Sequence, residues 1–382
     1  MKLSILDQLK VKKNLFQEKL LGFKQTYGRG LAEKFFMHLT LRDHIMVIKQ
    51  LATLMRAGIP LLNSLAIIQE QSRARAVKHI IEQARHDVEN GQYLSNALAK
   101  FKRNFGELTI NIIAVGEISG NLCRNLDHLA ISLKKRQVLR RKIISASVYP
   151  MFIIVATVVI SILLTALVFP KIIPVFLSIN YQLPWTTRFL IFLNIAVKKY
   201  GIFIGLAFVA VIIGGAVVLK IKKVRFWYDR SLITIPLIAL LVRTYNIATI
   251  CRTLGLLLGS GTTIVNAFHI TARATTNLAY KKELHGIGDQ LAKGEKISNQ
   301  IRNNIFFGSM VAPMIAVGES TGKLSETFMY LAEAHEEEMD EATQTISTSI
   351  EPLLLIFMGL LVGFIAISII TPMYGITQHL TE

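Results

Sequence analysis

Val115-Gly116-Glu117-Ile118-Ser119-Gly120-Asn121-Leu122 and Val317-Gly318-Glu319-Ser320-Thr321-Gly322-Lys323-Leu324 are one pattern written twice, 202 residues apart. Upstream, Gly58 matches Gly261, Asn63 matches Asn266, Gly91 matches Gly294 and Ser95 matches Ser298, all at an offset of 203. Downstream, Leu129 with Leu331 and Pro150 with Pro352 return to 202, so a single-residue gap reconciles the two halves. Pro150 and Pro352 each open an apolar run, and the runs close at a further matched pair, Pro170 and Pro372. The chain is therefore a duplicated unit of roughly 120 residues, each copy followed by its own apolar segment; a repeat of this kind decides the fold before anything else does.

The 382 residues are 52% hydrophobic and 18% charged, with a mean hydropathy of +0.45. Soluble domains carry about a quarter of charged residues, so this balance points to a membrane protein with sizeable soluble parts. The net charge of +18 is unevenly spread. Residues 1–149 hold 25 Lys/Arg against 11 Asp/Glu, residues 150–219 hold 4 against none, and residues 220–382 hold 14 of each. A basic domain can bind nucleic acid, but here the densest cluster abuts an apolar run, where positive residues have a simpler reason to be; no nucleic-acid partner is expected. Cys123 and Cys251 fall in expected cytosolic helices and read as ordinary buried thiols rather than a disulfide.

The first 39 residues are lysine-rich, with scattered apolar positions. They suit either a basic amphipathic helix at a membrane surface or a loose arm. Thr40-Leu41-Arg42-Asp43 has the form of a capping box. Beyond it Ile45, Ile48, Ala52 and Met55 recur on one helical face, and Gly58-Ile59-Pro60 breaks that helix. Further helices are expected at about 60–71, 74–89, 94–100 and 105–119, with no period-2 strand. Short connections make this an antiparallel helical bundle.

Gly120 suits the position just past a helix end. Glu117 lies in the last helical turn, where the helix dipole disfavours an anion. Two readings follow. Either the carboxylate makes a local hydrogen bond or a pair with Arg124 or Arg56 that fixes the turn, or Glu117 and Glu319 face a partner protein or sister subunit. A catalytic role lacks an accompanying nucleophile or metal cluster.

From near Asn121 a helix is expected to run on through Lys134, Lys135, Arg136, Arg140, Arg141 and Lys142 into an uncharged stretch long enough to span a bilayer. If Pro150 only kinks it, one helix joins the bundle to the membrane. The expected layout is a basic N-terminal arm (1–39), a first cytoplasmic helical bundle (40–149), a first span (150–169), a short external loop (170–199), a second span (200–219), a second cytoplasmic bundle (220–351), a third span (352–372) and an external tail (373–382). Positive flanks before the first span and after the second place both on the cytoplasmic side. Parity then puts the C-terminus outside. Gly201/Gly205, Gly214-Gly215 and Gly359/Gly363 offer close-approach positions within the spans.

Candidate chemistry is sparse. Gly259-Ser260-Gly261-Thr262-Thr263 lacks the lysine and the setting of a phosphate loop and reads as a helix–helix turn. His335 to Glu341 is an acidic helical run, read as a solvated face rather than a cation site. The spans carry no Asp, Glu, Lys or Arg, which disfavours a membrane permease or transport subunit, the main alternative. No catalytic, cofactor or metal residue is assigned.

Gln50 to Leu61, Val115 to Leu122 and Lys135 to Pro150 resemble the F-type inner-membrane platform proteins of type II secretion and type IV pilus machines. Val317 to Leu324 with Glu351-Pro352 is similar to that family's second domain, and the likeness covers about 40–372. The second copy has Gly259 where the first has Arg56. The resemblance implies an all-α protein of the bacterial inner membrane, with two homologous cytoplasmic antiparallel bundles and three transmembrane helices. It implies a non-enzymatic, oligomeric scaffold. Its expected partners are a cytoplasmic hexameric secretion ATPase, pilins or pseudopilins, and other inner-membrane assembly proteins. Arg56, Gly116, Glu117, Gly120, Gly318, Glu319 and Gly322 are the candidate interface positions, and Pro150 and Pro352 the helix-to-membrane junctions.

Overall fold

The computed structural model describes residues 39–163, 184–302 and 304–379. Residues 1–38 of the expected arm, residues 164–183 (the end of the expected first span and the first part of the expected external loop), Asn303 and the last three residues lie outside them. Some 85% of the structure is helical, and no strand occurs among the described residues.

The first copy builds α1 (Leu41–Arg56), α2 (Leu61–Gln71), α3 (Arg75–Glu89), α4 (Leu94–Ala99), α5 (Lys102–Ile118) and α6 (Leu122–Leu163). Thr40 closes the expected capping box: its hydroxyl accepts from the Asp43 N–H at 3.2 Å, while the Asp43 carboxylate accepts from the Thr40 N–H at 3.3 Å. Ile45, Ile48 and Ala52 are buried, with Val47 and Leu51 beside them. They meet Leu65, Ile68, Ile80, Ile81 and Leu94 in a core where each fully buried aliphatic side chain contributes about 1.5–3 kcal/mol. α5 starts earlier than its apolar pattern suggests, at Lys102, because a kink at Gly106 (φ 76°, ψ 162°) lets a short helical turn precede the main helix.

The second copy repeats the series as α9 (Pro236–Gly259), α10 (Ile264–Ala274), α11 (Leu278–Leu291), α12 (Ile297–Arg302), α13 (Gly308–Thr321) and α14 (Leu324–His379). Between the copies lie α7 (Trp185–Val218) and α8 (Lys222–Ser231). The positive-φ glycines among the described residues form four matched pairs: 58 with 261, 91 with 294, 106 with 308 and 120 with 322. The duplication thus extends to the backbone conformation at these four positions.

Two compact units emerge. One gathers the described residues through Gln137 together with Thr253–Ala274; the other gathers Val138–Arg252 and Thr275–Glu382. The division does not follow the repeat, since the first unit takes in the end of α9 and all of α10. There α10 packs on α5, and Arg273 forms an ion pair with Glu107, which also binds Lys102. Burial alone would raise the Glu107 carboxyl, but its two cations outweigh that and lower its pKa.

In the second unit, α8 anchors α11. The Asp229 carboxylate accepts from the Leu278 N–H at 2.8 Å, and Asn277 caps the same helix through the N–H groups of Ala279 and Tyr280. The Tyr280 hydroxyl donates to the Phe306 carbonyl at 2.7 Å inside an aromatic cluster with Phe307.

Among the described residues, three helices are long and apolar enough to cross a membrane: Leu122–Leu163, Lys199–Val218 and Leu324–Ser368. Neither Pro150 nor Pro352 breaks its helix. Both α6 and α7 pack on α14. Thr157 donates to the Met358 sulfur at 2.5 Å, and Thr187 donates to the Ser368 carbonyl at 2.8 Å, with Trp185 and Phe189 against Phe364. One expectation is corrected here. Residues 185–199, expected as loop, are helical, because Pro184 stands at the N-cap of α7 and starts it rather than extending the loop. Gly205, Gly214, Gly215, Gly359 and Gly363 have no atom within 4 Å of where a Cβ would stand, so none mediates a close helix approach within this chain.

Candidate functional site

The repeated glycine–glutamate stretch forms a corner in each copy. α5 ends, the chain turns through Gly120 at φ 70°, and α6 starts back alongside it. Gly322 does the same at φ 71° between α13 and α14. Left-handed backbone is open to glycine at little cost. Gly116 lies where the returning helix comes closest, since a Cβ there would stand 2.9 Å from the Leu122 Cα and 3.1 Å from the Asn125 amide. Its counterpart Gly318 faces Thr327, which holds the place of Asn125.

Glu117 reaches across the bundle to another helix. Its carboxylate accepts the Leu94 N–H at 2.5 Å, the Ser95 N–H at 3.0 Å and the Ser95 hydroxyl at 2.6 Å. Glu319 repeats this with the Ile297 N–H at 2.6 Å, the Ser298 N–H at 3.2 Å and the Ser298 hydroxyl at 2.5 Å. Each carboxylate therefore caps the N-terminus of α4 or α12, satisfying donors that a short helix otherwise leaves unpaired. The anion that looked misplaced at the end of its own helix is well placed at the start of another. Neither Arg56 nor Arg124 is its partner: Arg56 pairs instead with Asp127. Gly259 and Met329 stand at the equivalent places, so the second copy lacks that pair. Sequence reasoning missed the cap because its partners lie 22 and 23 residues away. The available signal was the serine pair Ser95/Ser298, which recurs in both copies upstream of the glutamates, one residue off their spacing.

The acidic run on α14 is not simply a solvated face. Glu336 is buried and paired with Arg252, which is buried as well. Asp340 accepts from Lys142 at 2.5 Å, and His335 lies 2.8 Å from Glu338. The cause of this departure is Arg252, 84 residues upstream, which occupies the place of Lys49 in the first copy and draws a carboxylate inward. Among the described residues, no group of three or more His, Cys, Asp or Glu side chains is placed to hold a metal.

At the membrane junction, an apolar groove of about 570 Å³ opens between α6, α9 and α14, lined by Ile143, Pro150, Met151, Leu241, Ile346 and Ile350 among others. A smaller apolar cleft of about 210 Å³ continues along α6 and α14 past Thr157 and Met358.

The family model described as type II secretion system (T2SS), protein F matches the chain twice, over residues 47–170 and 250–372. The chain belongs to the type II secretion protein F family. Among relatives of this family, the type IV pilus assembly protein PilC of Thermus thermophilus is 34% identical over 342 residues, covering 89% of this chain and 84% of its own. The type II secretion system protein F of Pseudomonas aeruginosa is 31% identical over 360 residues, covering 94% of this chain and 86% of its own. PilC of the same organism is 29% identical over 340 residues. The two matches to the protein F model each contain one glycine–glutamate corner and end within or at an apolar run, so the family unit is the duplicated unit.

Proposed function

We propose that the chain is an inner-membrane platform scaffold of a type IV pilus or type II secretion machine, and that it couples a cytoplasmic assembly ATPase to the extraction and polymerisation of pilins or pseudopilins. In this reading it is not an enzyme, it associates with itself and with other inner-membrane assembly proteins, its N-terminus is cytoplasmic and its C-terminus is outside. The observation that carries the proposal is helical continuity. α6 and α14 leave the corners as part of a bundle and become apolar spans without a break, over 42 and 56 residues. At 1.5 Å per residue the longer one extends roughly 84 Å. Such helices transmit a tilt or rotation imposed at one end to the other. The apolar groove beside Pro150 offers a place for the hydrophobic segment of a small membrane protein, and the corner glutamates hold each bundle rigid enough to be pushed.

Deleting the gene in its host and restoring it in trans tests this. Loss of surface pili, of secreted enzymes or of DNA uptake, recovered on complementation, is the expected outcome. Unchanged pilus assembly, secretion and DNA uptake would remove the reading.

A further inference from the structure

In the first copy the outward face of α5 is covered. Leu108 is only 7% exposed, and α10 packs against that helix through the Arg273–Glu107 pair. The matching face in the second copy lies on α13, where Met310, Pro313 and Val317 replace Leu108, Asn111 and Val115. These three share one side of the helix, and the described residues leave it open: Met310 is 54% and Val317 57% exposed. An apolar helix face left in solvent, where its homologue in the same chain is covered, marks an interaction surface.

We propose that α13 is the docking face for α2 of a second copy of this chain. The chain itself displays the contact: α2 is the internal counterpart of α10, so a neighbour's α2 on α13 repeats what α10 does on α5. α2 also keeps free surface for it. Ile270 and Ala272 of α10 are buried, whereas their counterparts Ile67 and Gln69 in α2 are half-buried. The ion pair does not carry over, because Glu70 stands at the place of Arg273 and Ser309 at that of Glu107. Apolar contact through Met310 and Val317 carries the interface instead. The inference rests on the platform reading only for self-association as such. The test below reads which positions meet, so failure of this contact is told apart from absence of association.

Glu70 and Ser309 are the equivalents of the Arg273–Glu107 pair and mark where the two chains meet. Chains carrying Cys123→Ala with Glu70→Cys are co-expressed with differently tagged chains carrying Cys123→Ala with Ser309→Cys, and membranes are treated with a short bismaleimide. Cys251 stays silent, because it is 1% exposed and burial pushes its thiol up to about 12. A doubly tagged covalent dimer is expected about tenfold above that given when Glu82→Cys replaces Glu70→Cys, since only neighbouring positions enjoy a high effective concentration. It disappears when Met310→Glu and Val317→Glu are added, both at exposed positions and checked by unchanged thermal unfolding. A dimer no stronger than the Glu82 control overturns the proposal. So does one that survives both glutamates, or a chain bearing both cysteines that cross-links only within itself.

Discussion

Gly116 and Gly318 hold equivalent places yet meet different neighbours, and the difference sets what an added methyl does. At Gly116 the obstacle is the Leu122 backbone at 2.9 Å, which moves only if the whole corner moves. At Gly318 it is the Thr327 side chain, its hydroxyl at 2.5 Å and its Cβ at 3.0 Å; a change of rotamer relieves the first contact and leaves only the second, milder one. Gly116→Ala is expected to lower stability by about 1–3 kcal/mol, within the range of overpacking, and Gly318→Ala by clearly less. Thermal unfolding of the two variants decides it; equal losses would mean that Thr327 is as fixed as backbone. His44 gives a second contrast. It is buried against Phe105, 3.1 Å from the Thr109 hydroxyl, and burial, aided by Arg136, lowers its pKa to about 4. The unfolded chain takes up this proton near pH 6.5 and the folded one only near 4. Stability therefore falls as pH drops through that window, by up to about 3 kcal/mol. The second copy has Ile247 and Val311 in these places, so His44→Ile with Thr109→Val is expected to flatten the slope of unfolding temperature against pH between 6.5 and 4.

The carboxylate caps act between elements. Glu117→Ala leaves two N–H groups at the start of α4 without their acceptor, and a loss of about 1–3 kcal/mol is expected from stranding such donors. Reversal to Glu117→Lys is expected to impair assembly more than Glu341→Lys, because Glu341 is exposed and caps nothing; membrane abundance and pilus or secretion output, measured together, check it. The joins between lobe and membrane belong to the same scale. One residue inserted after Lys142 turns the following span by about 100° relative to the bundle. Output is expected to collapse while the protein stays in the membrane fraction. Helix limits were readable because Gly58, Gly91, Gly120 and their partners punctuate them locally. The Glu117 cap and the Arg252–Glu336 pair were not, since their partners are distant in sequence and a charge run by itself shows no direction. Pro184 misled for a different reason: the same residue type ends a loop and begins a helix.

At the scale of the molecule, the all-α, three-span, duplicated plan was legible in the spacing of one motif and in the length of three uncharged runs. The sharing of Thr253–Ala274 with the first compact unit was not, because a repeat tells which segments are alike and not which ones pack together. A tag after residue 379 is expected to react with a membrane-impermeant reagent from the periplasmic side, and a tag at residue 1 only after permeabilisation; labelling of the C-terminus from the cytoplasm alone would reverse the topology.

Lys142 meets Asp340 on two helices that descend from one ancestral segment. Where the first half carries Lys134, Lys135 and Arg136, the second carries Glu336, Glu337 and Glu338. At these positions the two halves carry opposite charge and are not interchangeable. A chain that carried the first half twice would set Val138 in place of Asp340 opposite Lys142, and Lys134 beside Lys49 in place of Glu336 beside Arg252, so both ties that fasten this stem would be lost.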